Sequence, residues 1–196
     1  MSVPQRQIRG QFTEQTITVY QAYPAEIARP AVAAGRFVAP FKRERMTWIK
    51  PSFLWMMYRC GWASKPGQER VLAVEILRGG FEWALEQACL SHYDPDLHPD
   101  HEEWARRLKT SPVRVQWDPE RDLRLQPLPY RSLQVGLSGE AVDRYVDDWT
   151  VGITEVTGLA HSIRDRLAAG DEADDLLPVE NAYPLPSAIE AAIGAG

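Results

Sequence analysis

The chain has 196 residues, 44% hydrophobic and 25% charged, the ordinary mix of a globular domain long enough to bury its own core. A net charge of −5 and a pI of about 5.4 argue against a general nucleic-acid binder, which carries a basic excess. Two cysteines, Cys60 and Cys89, make no disulfide framework, and no stretch resembles a signal peptide or the roughly 20 apolar residues of a membrane span, so a soluble cytoplasmic protein is expected.

Residues 16–23, TITVYQAY, mix β-branched and aromatic types and predict a strand. Pro24 then opens a helix, AEIARPAVAAGRF, which stops near Gly35 and is shortened or kinked by Pro30. MTWIK predicts a short strand before Pro51, and from Ser52 the run FLWMMYRCGW is helical up to Gly61. Pro66 and Gly67 mark a loop, and RVLAVEIL, 70–77, is the clearest strand. After Gly79 and Gly80, FEWALEQACL predicts a short helix, SHYDPDLHPD a polar loop, and HEEWARRLK another short helix. VRVQW, 113–117, predicts a strand, DPERDLRLQPLPY a long Pro-punctuated connection, and RSLQVGL, 131–137, a further strand. Ser138 caps a last long helix in which Val142, Tyr145, Val146, Trp149, Ile153, Val156, Leu159, Ile163 and Leu167 recur at helical spacing, with Gly152 and Gly158 as points of division. Past Gly170 the composition turns acidic and then Pro/Ala-rich. One domain over residues 1–170 and a surface tail over 171–196 are therefore expected. GxGxxG and GxxxxGK[ST] are absent, and short interleaved strands and helices fit an α+β domain with a small mixed or antiparallel sheet.

The chemistry concentrates between Arg45 and Trp62. Trp48, Trp55 and Trp62 lie seven apart there, with Thr47, Lys50, Ser52 and Arg59 threaded among them. The rings form either a core stripe or a pocket wall. Cations among aromatic rings need a carboxylate, a phosphate or a ring face, so Lys50 and Arg59 either pair internally or meet a phosphate-bearing ligand. Tyr20, Gln21 and Tyr23 add phenol and amide groups to an early strand. Asp118 and Glu120 follow a strand ending in Trp117 and serve either as acid, base or electrostatic groups or in turn chemistry, and Glu69 is a third candidate carboxylate. Cys89, His92, His98 and His101 match no standard ligand spacing, so no metal is expected.

The string RMTWIKPSFLWMMYR resembles the signature of a bacterial and fungal domain-of-unknown-function family. VYQAY (19–23), GQERVLAVEI (67–76), GFEWAL (80–85), SPVRVQWDPERDL (111–123), YRSLQVGLSGEAV (130–142) and LLPVENAYP extend the likeness over nearly the whole chain. That family is associated with bacterial effectors that ADP-ribosylate threonine of ubiquitin. The resemblance implies a split two-sheet α+β core of the ADP-ribosyltransferase type, NAD as the substrate held in a cleft, and a hydroxyl, of a protein or of another molecule, as acceptor. Such enzymes present an arginine or histidine on an early strand, a serine or tyrosine motif next, and a late glutamate. Here Tyr20 and Gln21 occupy the early strand, with Arg9 upstream, and Thr47-Trp48-Ile49-Lys50-Pro51-Ser52 stands for the middle motif. Glu120 becomes the catalytic carboxylate. Tyr20, Gln21, Thr47, Trp48, Lys50, Ser52, Trp55, Arg59 and Gln134 become the NAD-binding set. Cleaving the nicotinamide–ribose bond passes through an oxocarbenium-like species, which a carboxylate stabilises. A non-catalytic module for a nucleotide, an RNA end or another phosphorylated ligand would use the same cations and rings.

Overall fold

The computed structural model describes residues 3–196. A short strand β1 (Arg9–Gly10) precedes β2 (Thr16–Tyr23), helix α1 (Ala25–Ala34), β3 (Thr47–Ile49) and helix α2 (Phe53–Cys60). Then come β4 (Arg70–Leu77), α3 (Arg78–Glu86), β5 (Ala88–Leu90), α4 (His101–Thr110) and the hairpin of β6 (Val113–Arg121) and β7 (Pro127–Leu137). The chain continues through α5 (Glu140–Arg144), a π-helical turn at Tyr145–Trp149, β8 (Thr150–Glu155), α6 (Thr157–Ala169), β9 (Asn181–Ala182) and α7 (Ser187–Ile193). The strands form a three-stranded sheet β2-β4-β8, a four-stranded sheet β3-β7-β6-β5 and a two-stranded ribbon β1-β9. β5 runs parallel to β6 and every other pairing of these strands is antiparallel, so the expected mixed α+β class holds.

One backbone hydrogen bond joins the two larger sheets, from the Tyr20 amide to the Lys50 carbonyl at 2.7 Å. Alternation along β6 and β7 sends Val113, Val115, Trp117, Leu133, Val135 and Leu137 into the main core, against Ile17, Val19, Leu72, Val74 and Ile76 of the other sheet. The opposite set on the same strands, Gln116, Asp118 and Gln134, is polar, as period-two strands with one buried face require. A second cluster packs Phe53, Met56 and Met57 of α2 and Ala160 and Ile163 of α6 onto Tyr20 and Val71.

Several expected boundaries shift. The long helix after Ser138 divides into α5, the π-helical turn, β8 and α6. Thr150–Glu155 carries β-branched residues that pair with β4, and tertiary pairing overrides the helical spacing of the apolar positions. The ACL end of the run after Gly80 leaves the helix as β5, pairing with β6. The connection after Trp117 is mostly strand. Asp122 Oδ1 accepts from the Arg124 and Gln126 amides, closing a tight turn that lets β6 and β7 extend toward each other.

The expected surface tail is mostly exposed, but a few of its residues anchor it in the core. Tyr183, Ile189 and Ile193 are buried in the main cluster, and the Trp117 indole donates to the Ile193 carbonyl at 2.8 Å. β9 pairs with β1, and Arg6 and Gly196 exchange backbone hydrogen bonds at 3.1 and 2.7 Å. Glu180 reaches the start of α2 and accepts from the Phe53 amide at 2.7 Å. Acidic composition past Gly170 hid the spaced apolar residues that anchor this segment. Among the described residues, no helix is long and apolar enough to cross a membrane.

Ile193→Ala should cost about 2–5 kcal/mol in urea denaturation, the range for truncating a buried isoleucine, and a chain ending at Gly170 should show no cooperative transition. Burial, with the nearby Glu120 carboxylate adding to it, pushes the Glu180 carboxyl up to about 8, against the pull of the Phe53 amide and Arg9. The folded protein therefore takes up a proton here that the unfolded chain releases above its ordinary value of 4.5. Its stabilising contribution is complete below that value and is lost as pH rises through about 8. Glu180→Gln should leave the melting temperature unchanged at about pH 3.5 and raise it relative to the wild type at about pH 9.

Candidate functional site

A cleft of about 830 Å³ opens beside the point where the two sheets meet, within the size range of small-molecule sites. Gln21 and Tyr23 of β2 and the first turn of α1 form one wall, and Thr47, Trp48 and Lys50 another. Gln116 and Gln134 form the floor, while the loops around Phe41–Arg45 and Pro66–Gln68 make the rim.

Gln21 organises the first wall. Its amide nitrogen donates to the Thr47 hydroxyl at 2.7 Å, the Tyr23 hydroxyl at 2.9 Å and the Trp48 carbonyl at 3.3 Å, while its carbonyl oxygen accepts from the buried Tyr145 hydroxyl at 2.7 Å. Every polar atom of this buried side chain is engaged, as burial demands. Gln21 therefore holds Thr47 and Tyr23 in place. Burial pushes the Tyr23 phenol up to about 12 and the Tyr145 phenol well above its ordinary range, so both stay protonated.

The floor is built from neighbouring strands. Gln116 and Gln134 are paired across β6 and β7, and each donates its amide to Asp118, at 2.8 and 2.7 Å. With both NH₂ groups held by one carboxylate, the two amide oxygens remain as acceptors on a surface that both side chains line. Trp48 lies over Gly136 of β7. A side chain at 136 would press against the Trp48 ring and the Met46 sulfur at about 3 Å, so the glycine permits this close approach.

Four cations border the cleft: Lys42, Arg45, Lys50 and Arg59. None is in an ion pair among the described residues. The Arg59 guanidinium makes one long contact, donating to the side-chain amide oxygen of Gln68 at 3.5 Å. Lys50 is buried. Its ammonium nitrogen lies 3.1 Å from the Trp48 carbonyl and 5.3 Å from the centre of the Trp55 ring. Burial, with Arg59 adding repulsion, pulls the Lys50 amine down to about 7, while Asp118 opposes the shift.

Of the ten residues that the resemblance assigns to the NAD site, Gln21, Thr47, Trp48, Lys50, Arg59 and Gln134 line the cleft together. Four do not line it. Tyr20 points the other way on β2, buried edge-on against Phe53 at 5.4 Å. Ser52 caps α2, accepting from the Trp55 amide at 3.2 Å. Trp55 packs one turn into α2 behind Lys50. Glu120 sits within an irregularity of the β6–β7 ladder, between Pro119 and Arg121, which turns it out of the Gln116/Asp118 row. It is buried, accepting from the Ser52 hydroxyl at 2.9 Å and the Arg121 amide at 2.8 Å, and burial pushes its carboxyl up. Gln116 also lines the cleft, although it does not stand out in the sequence. Its place opposite Gln134 was visible only as one polar position in the alternating VRVQW strand. Among the described residues, no three His, Cys, Asp or Glu side chains gather to hold a metal. Cys89 is buried on β5, and His101 stacks on Tyr93 at 3.7 Å.

No curated protein matches this chain. The family model described as domain of unknown function DUF4291 matches residues 7–183, from before the first strand through the buried Tyr183. Because that span takes in both sheets and every wall of the cleft, the chain belongs to the DUF4291 family.

Proposed function

We propose that the cleft binds NAD and that the protein transfers ADP-ribose from it to a hydroxyl acceptor. One observation carries this: four cations without carboxylate partners surround a cleft that also presents an indole face and two oriented amide oxygens. An anionic, flat-ringed, hydroxyl-rich ligand is complementary to each of those groups. Lys42, Arg45 and Arg59 suit the pyrophosphate. The first turn of α1 borders the cleft with no side-chain cap on its amides and adds favourable potential for an anion. Trp48 offers a stacking face for a ring, and the amide oxygens of Gln116 and Gln134 suit ribose hydroxyls.

The two-sheet α+β core with its cleft beside the junction is compatible with an ADP-ribosyltransferase-like fold, which we include in the proposal. We assign electrostatic support of the oxocarbenium-like ribose to Asp118. It lies directly behind the two floor amides, whereas Glu120 is tied to the cap of α2. A non-catalytic module for a nucleotide or a phosphorylated ligand would share the cationic rim. The observation in its favour is that Glu26, exposed at the rim, is the sole carboxylate lining the cleft among the described residues.

Calorimetric titration with NAD should give binding well below millimolar, and Arg59→Ala should weaken it about tenfold, the loss expected for one charge-assisted contact. No heat at millimolar NAD would overturn the proposal. Nicotinamide release separates enzyme from binder. Asp118→Asn should lower turnover about tenfold or more by freeing the floor amides, while Glu120→Gln should leave it within about threefold, as expected for a group outside the transition-state contacts. Binding with no nicotinamide release under any condition would favour the non-catalytic module.

A further inference from the structure

Lys50 stands apart from the other cations of the cleft. Lys42, Arg45 and Arg59 belong to the rim or to an exposed helix end, but Lys50 is buried where the two sheets join. Its position follows the Ile49–Val135 pairing of β3 with β7, which sets it on the same face as Gln134. The amine has one hydrogen-bond partner, the Trp48 carbonyl at 3.1 Å, and no carboxylate within ion-pair distance among the described residues. An ammonium in such a place is desolvated with only that carbonyl and the Trp55 ring, 5.3 Å away, to compensate, and a lysine so placed readily gives up its proton.

Given the NAD reading above, we infer that Lys50 is the general base of the transfer, taking the proton of the acceptor hydroxyl. As the ribose C1–nicotinamide bond breaks and nicotinamide leaves with its electron pair, the acceptor oxygen bonds to C1 and its proton passes to the Lys50 nitrogen. Solvent then removes that proton, and nothing is oxidised or reduced. The bond to the Trp48 carbonyl fixes one N–H and so orients the lone pair. The charged and titratable groups acting on the amine are Arg59 and Cys60 of α2 and Asp118 of β6. Arg59 favours the neutral amine, Asp118 and Cys60 favour the charged one, and burial outweighs both to set the value at about 7. A bound pyrophosphate would add negative charge and move the amine upward.

The chain has four lysines, Lys42, Lys50, Lys65 and Lys109, so a protein labelled with ¹³C at lysine Cε gives four resonances, with Lys50→Met assigning the one that matters. That resonance should titrate near pH 7 in the free protein and higher with ADP-ribose bound. With NAD and water as acceptor, wild-type kcat/KM for nicotinamide release should rise through about pH 7 and then level. Lys50→Met and Lys50→Arg should each lose that limb and about 100-fold or more in kcat, with NAD affinity changed only a few-fold. A Lys50 resonance titrating near the ordinary 10.5, or a Lys50→Met protein with wild-type kcat, would overturn the inference while NAD binding stood. A wild type that fails to bind NAD although Lys50 titrates near 7 would overturn the NAD reading and this role with it.

Discussion

A single backbone hydrogen bond, from the Tyr20 amide to the Lys50 carbonyl, fixes where the two sheets touch. It occupies a carbonyl at the end of β3, just where that strand leaves β7, and ties it to the middle of β2. Everything placed in the cleft depends on that point. Gln21 follows Tyr20, and alternation turns it and Tyr20 to opposite sides. One therefore joins the cleft wall and the other the core under α2. Pro51 and Ser52 follow Lys50 and start α2, whose last turn carries Arg59 back to the cleft.

The polar groups around this junction divide by how completely they are satisfied. Gln21, Tyr23, Thr47 and Tyr145 form a closed buried network in which each hydroxyl or amide has a protein partner. Such a network fixes one arrangement of the surrounding strands, because a half-satisfied alternative is costly. Gln116 and Gln134 are held on one side and open on the other, and the rim cations Lys42, Arg45 and Arg59 are open almost entirely. With buried Lys50 as the exception, this gradient from satisfied to unsatisfied polar groups runs from the sheet junction to the cleft mouth. It distinguishes a cleft able to receive a ligand from a polar patch that merely faces water.

Much of this was legible in the sequence, because local rules and tertiary contacts agree there. β2, β4, α1 and α2 lie where periodicity, proline and glycine placed them. Of the segment from Arg45 to Trp62, Arg45, Trp48, Lys50 and Arg59 line the cleft, whereas Trp55 and Trp62 are buried in the core. Other features depend on distant partners. Thr150–Glu155 becomes a strand because β4 has a free edge, which no local spacing reveals. Tyr183, Ile189 and Ile193 are core because the far side of the main cluster lacks another cover. Glu120 and Asp118 are two residues apart and share a motif, yet a ladder irregularity near Pro119 sends one to the cap of α2 and leaves the other behind the cleft floor. The period-two rule fails at such a point, and the sequence marks it only by a proline.

The pairing of β1 with β9 joins opposite ends of the chain. Closing so long a loop forfeits more chain entropy than any hairpin in the molecule, so this ribbon has the least reason to form early during folding. Glu180 lies immediately before β9, and its bond to the Phe53 amide is made in the same event. An intermediate with both large sheets formed but β1 and β9 still apart would leave the Phe53 amide, at the first residue of α2, without its Glu180 partner.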